Sequence, residues 1–379
     1  MSAFLPVGKP LIGKEEKEEV LKVLDSGWIS VGPECKRLEE LASKYLGVDA
    51  AVTVSSCTAG LFLSLKAIGV GPGDEVVVPT YTFCSSVNVV EHLGARPVLI
   101  DSEPNTMNLD IMKLKDAITE KTRAIVPVHF AGQPVDIDKV LKIAGDVPVI
   151  EDAAHAIGAE FGHKKIGGFG LATNFSFYAT KNMTTGDGGM VTTNSEPLAE
   201  KLKLLRLHGL SRDAWKRYTS AGSWKYDVVE AGYKANLTDM QAALGVIQLG
   251  KLEGFIERRR ELAGHYRKLL GDLEIFELPE EKQGRKHVFH LFPVFVKKGI
   301  DRDKFIEGLR SENIGTSVHF IPVHSFTYYK RRYGFSNEDF PVAWNYSNRE
   351  ISLPIFNGMS LEDVERVVAA VKKIGKNYL

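Results

Sequence analysis

A chain of 379 residues, 44% apolar and 25% charged, is too long for one small core and too apolar for a disordered or collagen-like polymer. Its 48 basic residues balance 48 acidic ones, so no global field draws in nucleic acid or an anionic membrane, and any anion must be held locally. Cys35, Cys57 and Cys84 lie far apart without metal-ligand spacing and the ten histidines form no short ligand pair, so no metal is expected.

The first 17 residues carry a short apolar stretch broken by Pro6 and Pro10 and then turn charged, which is neither a signal peptide nor a membrane span; a cytoplasmic protein is the expectation. From there to residue 195, short β-rich runs at 51–55, 75–79, 97–101, 124–129, 147–151, 174–178 and 189–193 alternate with helical or loop segments. The helical pattern at 59–68 is followed by the turn Gly71-Pro72-Gly73-Asp74. This alternation predicts an α/β fold around a largely parallel sheet. A long helical pattern runs from Leu237 through Gln241, Leu244, Leu249 and Leu252 into Arg258-Arg259-Arg260. Beyond it, residues 290–296 read as a strand and 361–374 as an amphipathic closing helix. The expected division is a large domain over residues 1–250, including the N-terminal segment, and a smaller α+β domain over 251–379.

Four segments carry chemistry. The run Val149-Ile150-Glu151-Asp152 brings a carboxylate to a strand end, where open α/β sheets bind ligands; Asp152 is either a partner for a cation or the N-cap of the next turn. Phe175-Ser176-Phe177-Tyr178-Ala179-Thr180-Lys181 runs from a strand into a lysine ringed by small and polar residues. Partial desolvation there would lower the amine pKa, as Schiff-base formation requires, whereas the ordinary alternative is a solvated loop lysine. Ser55-Ser56-Cys57-Thr58-Ala59-Gly60 follows a strand and opens a helix, a place for a phosphate, although serine and threonine are also common caps. Pro79-Thr80-Tyr81-Thr82-Phe83 places an aromatic residue at another strand end, where core packing is the usual role.

In order and spacing these segments resemble the fold-type I pyridoxal phosphate enzymes, and among them the DegT/DnrJ/EryC1/StrS sugar aminotransferases. The likeness runs from Gly27-Trp28-Ile29-Ser30-Val31-Gly32-Pro33 through Gly232-Tyr233-Lys234-Ala235-Asn236-Leu237-Thr238-Asp239 to Leu353-Pro354. The resemblance implies that Lys181 carries the cofactor as a Schiff base and shuttles a proton, and that Asp152 keeps the pyridine nitrogen protonated. It places His155 at the phenolic oxygen, Phe83 on the ring face, and Thr58, Ala59 and Ser176 at the phosphate. Where many relatives have Asn after Gly-Tyr, this chain has Lys234, with Asn236 two residues on; both are candidates for the phosphate of a neighbouring subunit's cofactor, which implies a homodimer with shared sites.

Lys234, together with His319-Phe320-Ile321-Pro322-Val323-His324 and Tyr328-Tyr329-Lys330, looks most like the branch acting on UDP-4-keto-pentoses, such as UDP-4-amino-4-deoxy-L-arabinose aminotransferase. His324 is the candidate substrate contact. The implied activity takes an amino group from glutamate through pyridoxamine phosphate to a nucleotide-linked keto sugar. Arg206, His208 and Arg212 form a basic stretch that either meets the substrate's phosphates or is simply solvated. Two rival functions are a sugar dehydratase, a lyase of the same family with histidine in place of the lysine, and a non-catalytic cofactor-binding regulator. Lys181 argues against the first, and Lys181 together with Asp152 argues more weakly against the second.

Overall fold

The computed structural model describes residues 3–210, 226–376 and 378. Its centre is a sheet built from β1 (Ala50–Val54), β2 (Glu75–Pro79), β3 (Arg96–Ile100), β4 (Thr122–Ile125), β5 (Ile150–Asp152), β8 (Ala172–Ser176) and β9 (Gly189–Thr193). Parallel pairing gives β3-β2-β4 and β5-β8, and the Ile125–Val149 and Val128–Asp152 bridges join the two groups. β9 runs antiparallel between β8 and β1, so the sheet order is β3-β2-β4-β5-β8-β9-β1.

These strands are apolar on both sides because helices cover both faces. Alternation sorts them: Val52 and Val191 pack with Leu61 and Leu65 of the helix Cys57–Ala67, whereas Ala51, Phe175 and Met190 pack with Leu38 and Leu252 on the opposite face. The connection into β2 is the anticipated turn, closed by Gly71 N–H to Asp74 Oδ2 at 2.9 Å and Asp74 N–H to the Gly71 carbonyl at 3.1 Å. The run at 124–129 is strand only as far as Ile125. Beyond it the chain follows β5, and the buried His129 ring meets Glu151 at 3.0 Å.

A small outlying sheet pairs β6 (Glu160–Phe161) with β7 (Lys164–Lys165) and β11 (Arg285–Lys286). The predicted long helix spans Asp239–Leu270, opened by a capping box in which Thr238 and Gln241 satisfy each other's amides. At 1.5 Å per residue its 32 residues extend about 48 Å. Its first half packs on the helices Lys14–Ser26 and Pro33–Leu46, and its second half enters another core around Leu262, Tyr266 and Leu270. That core is closed by β10 (Phe276–Glu277), β12 (Phe292–Val296), β13 (Glu350–Leu353) and the helices Arg302–Ser311 and Leu361–Gly375. Leu5 belongs to the same core: its N–H reaches the Asn313 carbonyl at 2.9 Å, so the N-terminal segment is stitched to this lobe. Among the described residues no helix is long and apolar enough to cross a membrane.

Candidate active site

The C-terminal ends of β1, β2, β5 and β8 bring the chemically marked segments to one edge of the sheet, the place where parallel α/β sheets hold ligands. Asp152 closes β5 and is only 4% exposed. Its Oδ1 accepts the Ala154 N–H at 3.0 Å, and its Oδ2 accepts the Ser86 hydroxyl at 2.6 Å. The aspartate therefore caps the turn after β5 and at the same time presents a buried carboxylate whose hydrogen-bond donors are neutral. A cationic partner facing it would offset the cost of that burial.

Five residues past the end of β8, the Lys181 amide closes a turn on the Tyr178 carbonyl at 2.9 Å. Burial pulls its amine down to about 8, partly offset by the Cys57 thiol and the Asp152 carboxylate. The solvated-loop alternative is therefore not what the fold builds. Lys181 Nζ lies 3.5 Å from His290 Nε2, and the His290 ring sits 4.4 Å from that of His155. Burial first, then the Lys181 charge, keeps both imidazoles well below the ordinary histidine range, so both are neutral. Each has a buried Nδ1 without a hydrogen-bond partner.

His155 stacks on Phe320 at 5.8 Å, and Phe83 leans on the other reaches of the same ring at 6.1 Å. Phe83 is 58% exposed, an unusual setting for a large apolar side chain at a strand end and unlike the core packing that is its usual fate. On the β1 side, Ser56 caps the helix Cys57–Ala67 by accepting the Ala59 N–H at 3.1 Å. Thr58 and Ala59 lie in its partly exposed first turn, where amides point off the helix end. Gly189 lets β9 pass close by: a Cβ there would stand 2.5 Å from the Ser56 carbonyl carbon and 2.6 Å from Cys57 N. Ser176 ends β8, with its hydroxyl 3.4 Å from the Tyr178 N–H.

The segment carrying Lys234 and Asn236 is fastened to the same strand end, since the Ser55 N–H reaches the Ala235 carbonyl at 2.8 Å. Lys234 is exposed, whereas Asn236 is buried, donates to the Leu237 carbonyl at 2.8 Å and leaves its Oδ1 without a partner. The basic stretch divides. Arg206 Nη1 is held by Glu39 at 2.5 Å and by the Thr53 carbonyl at 2.6 Å, so the guanidinium pins the helix Pro33–Leu46 to β1. His208 is exposed, and Arg212 lies outside the described residues. His324 stands apart from the lysine cluster: it is fully buried, bonded through Nδ1 to Thr80 Oγ1 at 2.8 Å and stacked on Phe340.

Several neighbours of this site escaped the reading of the sequence. Ser86 supports Asp152 from the helix Ser85–His92; Asn182 donates to the Val288 carbonyl at 3.1 Å and keeps a buried, unpartnered Oδ1; His290 and His319 arrive from the C-terminal lobe. The spacing His287-Val288-Phe289-His290 just before a strand was the available signal, since polar imidazoles in an otherwise apolar run need a reason to be there. Against the requirements of pyridoxal phosphate the residues fit. A buried carboxylate suits a protonated ring nitrogen, a desolvated amine suits a carbonyl, and a capped helix start approached by a glycine strand suits a phosphate.

Comparison with known proteins agrees. An uncharacterized protein of Methanocaldococcus jannaschii, MJ1066, is 51% identical over 378 residues, 98% of each chain. The spore coat polysaccharide biosynthesis protein SpsC of Bacillus subtilis is 48% identical over 379 residues, covering 98% of this chain and 97% of that one. Among solved structures, a sugar aminotransferase described as putative, Spr1654 of Streptococcus pneumoniae, superposes in its PMP form with a TM-score of 0.93 at 32% identity, covering 99% of this chain and 100% of that one. The same protein in its PLP form gives 0.92. The model of the DegT/DnrJ/EryC1/StrS aminotransferase family matches residues 10–372, and the chain belongs to that family of fold-type I, pyridoxal-phosphate-dependent enzymes.

Proposed function

We propose that this protein is a transaminase that uses pyridoxal phosphate to move an amino group from glutamate to a nucleotide-linked keto sugar, a UDP-4-keto sugar being the best match to its motifs. The observation that carries the reading is the pairing of a desolvated Lys181 amine, poised at about 8, with the buried Asp152 carboxylate in one pocket. When bound, pyridoxal phosphate supplies an electron sink for the carbon that gains or loses a proton.

Everything else falls to the chain. Asp152, fixed by Ser86 and the Ala154 amide, holds negative charge where a ring nitrogen must stay protonated. Lys181 would supply the amine that anchors the group, and as a free amine it would be a base of suitable strength to hold and move a proton there. His155 would contact the group's phenolic oxygen, while Phe83, beside Phe320, would cover the ring face and exclude water. The first turn of the helix Cys57–Ala67, with Thr58 and Ala59, and Ser176 at the end of β8 hold the phosphate. Lys234 and Asn236 extend this anchor to a second subunit in a homodimer, Lys234 by its exposed charge.

Incubating the purified holoprotein with glutamate and assaying 2-oxoglutarate tests the reaction, with borohydride reduction and peptide mass spectrometry to locate the cofactor. Stoichiometric 2-oxoglutarate and a label on Lys181 are expected. A label elsewhere, or none, would remove the lysine assignment; a label on Lys181 without 2-oxoglutarate would remove glutamate as donor. Keto sugar nucleotides are then screened for amination by the charged protein. Mixed dimers of Lys181→Ala with a Lys234→Ala/Asn236→Ala variant should regain activity at one site, and mixtures as inactive as either parent would remove the shared-site reading.

A further inference from the structure

A second chain of polar groups lies behind the pocket, in the small lobe, and ends on His319. Glu350 opens β13 and is fully buried. Its Oε1 lies 2.6 Å from the Ser352 hydroxyl, and its Oε2 accepts the His319 backbone N–H at 2.7 Å. The same Ser352 hydroxyl lies 2.8 Å from His319 Nδ1. Tyr81, at the end of β2, secures the backbone of His319 by donating its hydroxyl to the carbonyl at 2.9 Å. The imidazole is close enough to Lys181 that burial and the ammonium charge together lower it to about 4, so it is neutral over the working range. Its Nε2 has no partner among the described residues.

A neutral imidazole carries one proton, and the relay decides which nitrogen holds it. Ser352 owns a single hydroxyl hydrogen. If Glu350 is ionised it can only accept, so the Ser352 hydrogen points to Oε1, the Ser352 oxygen must accept from His319 Nδ1–H, and Nε2 is left a bare acceptor. If Glu350 is protonated and donates to the Ser352 oxygen, that hydroxyl turns to donate to Nδ1, and the His319 proton moves to Nε2, which becomes a donor. A proton on Oε2, which already receives the His319 N–H, would have no acceptor among the described residues, so these two arrangements are the ones that pair every proton of the relay.

We propose that Glu350, acting through Ser352, is a positioning residue that sets whether His319 offers the reacting pocket a hydrogen-bond donor or an acceptor, with the donor state serving an oxygen of the substrate. The inference rests on reading the Lys181 pocket as the reacting site. Burial holds the Glu350 carboxyl up at about 8, against the hydrogen bonds from Ser352 and the His319 amide and the charge of Arg302. The charged and titratable groups facing it are few. Arg302, from the helix Arg302–Ser311, spends its guanidinium on the Ser347 and Glu350 carbonyls and on Asp303. The Tyr81 hydroxyl is held neutral by burial, and His319 is the third. With no dedicated cation on its carboxylate, Glu350 remains protonated at neutral pH and the donor state of His319 prevails.

The test is a direct measurement of the tautomer in the holoenzyme labelled with 15N-histidine, the His319 signals being identified by their loss in His319→Gln. Ring 15N shifts distinguish a protonated from a bare nitrogen. The wild-type protein should carry the proton on Nε2 at about pH 6 and shift it to Nδ1 as the solution passes about pH 8. Glu350→Gln, whose amide donates permanently to Ser352, should hold the Nε2–H form throughout, and Ser352→Ala should abolish the response while leaving the Lys181 linkage intact. In the steady state, kcat/KM for the amino acceptor should fall about tenfold above pH 8 in the wild type and not in Glu350→Gln, a difference equal to about 1.4 kcal/mol. A pH-invariant His319 tautomer in the wild type, or an identical switch in Glu350→Gln, would overturn the relay. Since the tautomer is read without turnover, failure of the relay and failure of the transaminase reading are separate results.

Discussion

The hydroxyl of Ser86 stands 2.6 Å from Asp152 Oδ2 although 66 residues separate the two in sequence. Ser86 lies near the start of the helix Ser85–His92, after β2, and Asp152 closes β5, so the contact crosses the open edge of the sheet and fixes the carboxylate's orientation. Asp152→Asn keeps the shape but removes the charge that a protonated ring nitrogen needs. The glutamate half-reaction should slow by about 100-fold or more, as when a single preorganised group is lost from an active site. Ser86→Ala leaves the charge and loosens it, which should cost about tenfold in rate and about 1 kcal/mol in stability. Stopped-flow measurement of both variants decides the order; equal effects would mean that orientation, not charge, is what Asp152 contributes.

A prediction about Lys181 follows from the sign of its shift. Burial lowers the folded-state amine from an ordinary 10.5 to about 8, so between these values the unfolded chain binds more protons than the native one. The stability of the cofactor-free protein should therefore rise with pH from about 8 to about 10.5, while below about 8 the full cost of the buried charge is present. Lys181→Met should raise the melting temperature of the cofactor-free protein at pH 7, and the gain should vanish near pH 10.5. For the same reason the rate of cofactor capture by the wild-type protein should climb with pH and level off above about 8. Differential scanning calorimetry at several pH values checks the first statement, and absorbance-monitored capture checks the second.

The close passage of β9 past the helix start makes Gly189 a sharp probe of the cradle. Its backbone needs no unusual torsion, but an added Cβ would press on Ser56 and Cys57 at separations real Cβ atoms do not show. Gly189→Ala should displace the first turn of the helix Cys57–Ala67 and weaken cofactor binding about tenfold or more, equivalent to about 1.4 kcal/mol. A titration of the cofactor-free variant gives the number. Loss of fold instead of affinity would be visible in the far-ultraviolet circular dichroism of the same sample.

The large lobe was legible because its strands are short, β-branched and punctuated. β2 and β9 fall on the residues their composition marks, and β1, β3 and β8 lie within two residues of theirs. The run at 124–129 overshot because Val126 and Val128 are as apolar as a strand requires, while the bond from His129 to Glu151 that redirects the chain is a tertiary fact. At the site, the positions of Asp152 and Lys181 were legible because Asp152 closes a strand and Lys181 follows one within a short turn. Ser86, His290 and His319 were not, because a serine near a helix start and histidines beside strands look ordinary until distant segments converge. Arg206 was left open between a phosphate contact and a solvated residue, because the Glu39 carboxylate and Thr53 that hold its Nη1 come to it only in the folded chain.

Away from the pocket, Glu16 is buried between the first helix and the long one, where Lys251 Nζ reaches it at 2.9 Å and Gln248 Nε2 at 2.8 Å. Burial alone would raise the carboxyl, but Lys251, Gln248 and the amides of Glu16 and Gly13 outweigh it and hold it below the usual range. Its contribution to stability is thus present above the ordinary carboxylate range and is lost as the pH falls through the lowered value. Lys251→Met leaves the charge buried without its cation and should cost about 3 kcal/mol at pH 7. In that variant only Gln248 and the Glu16 and Gly13 amides oppose burial, so acidification should remove less stability than it does in the wild type. Adding Glu16→Gln to Lys251→Met should recover much of the loss at neutral pH. Urea titrations of the three proteins at about pH 5 and about pH 7 test this, and a double variant no more stable than Lys251→Met would show that packing, not the stranded charge, sets the cost.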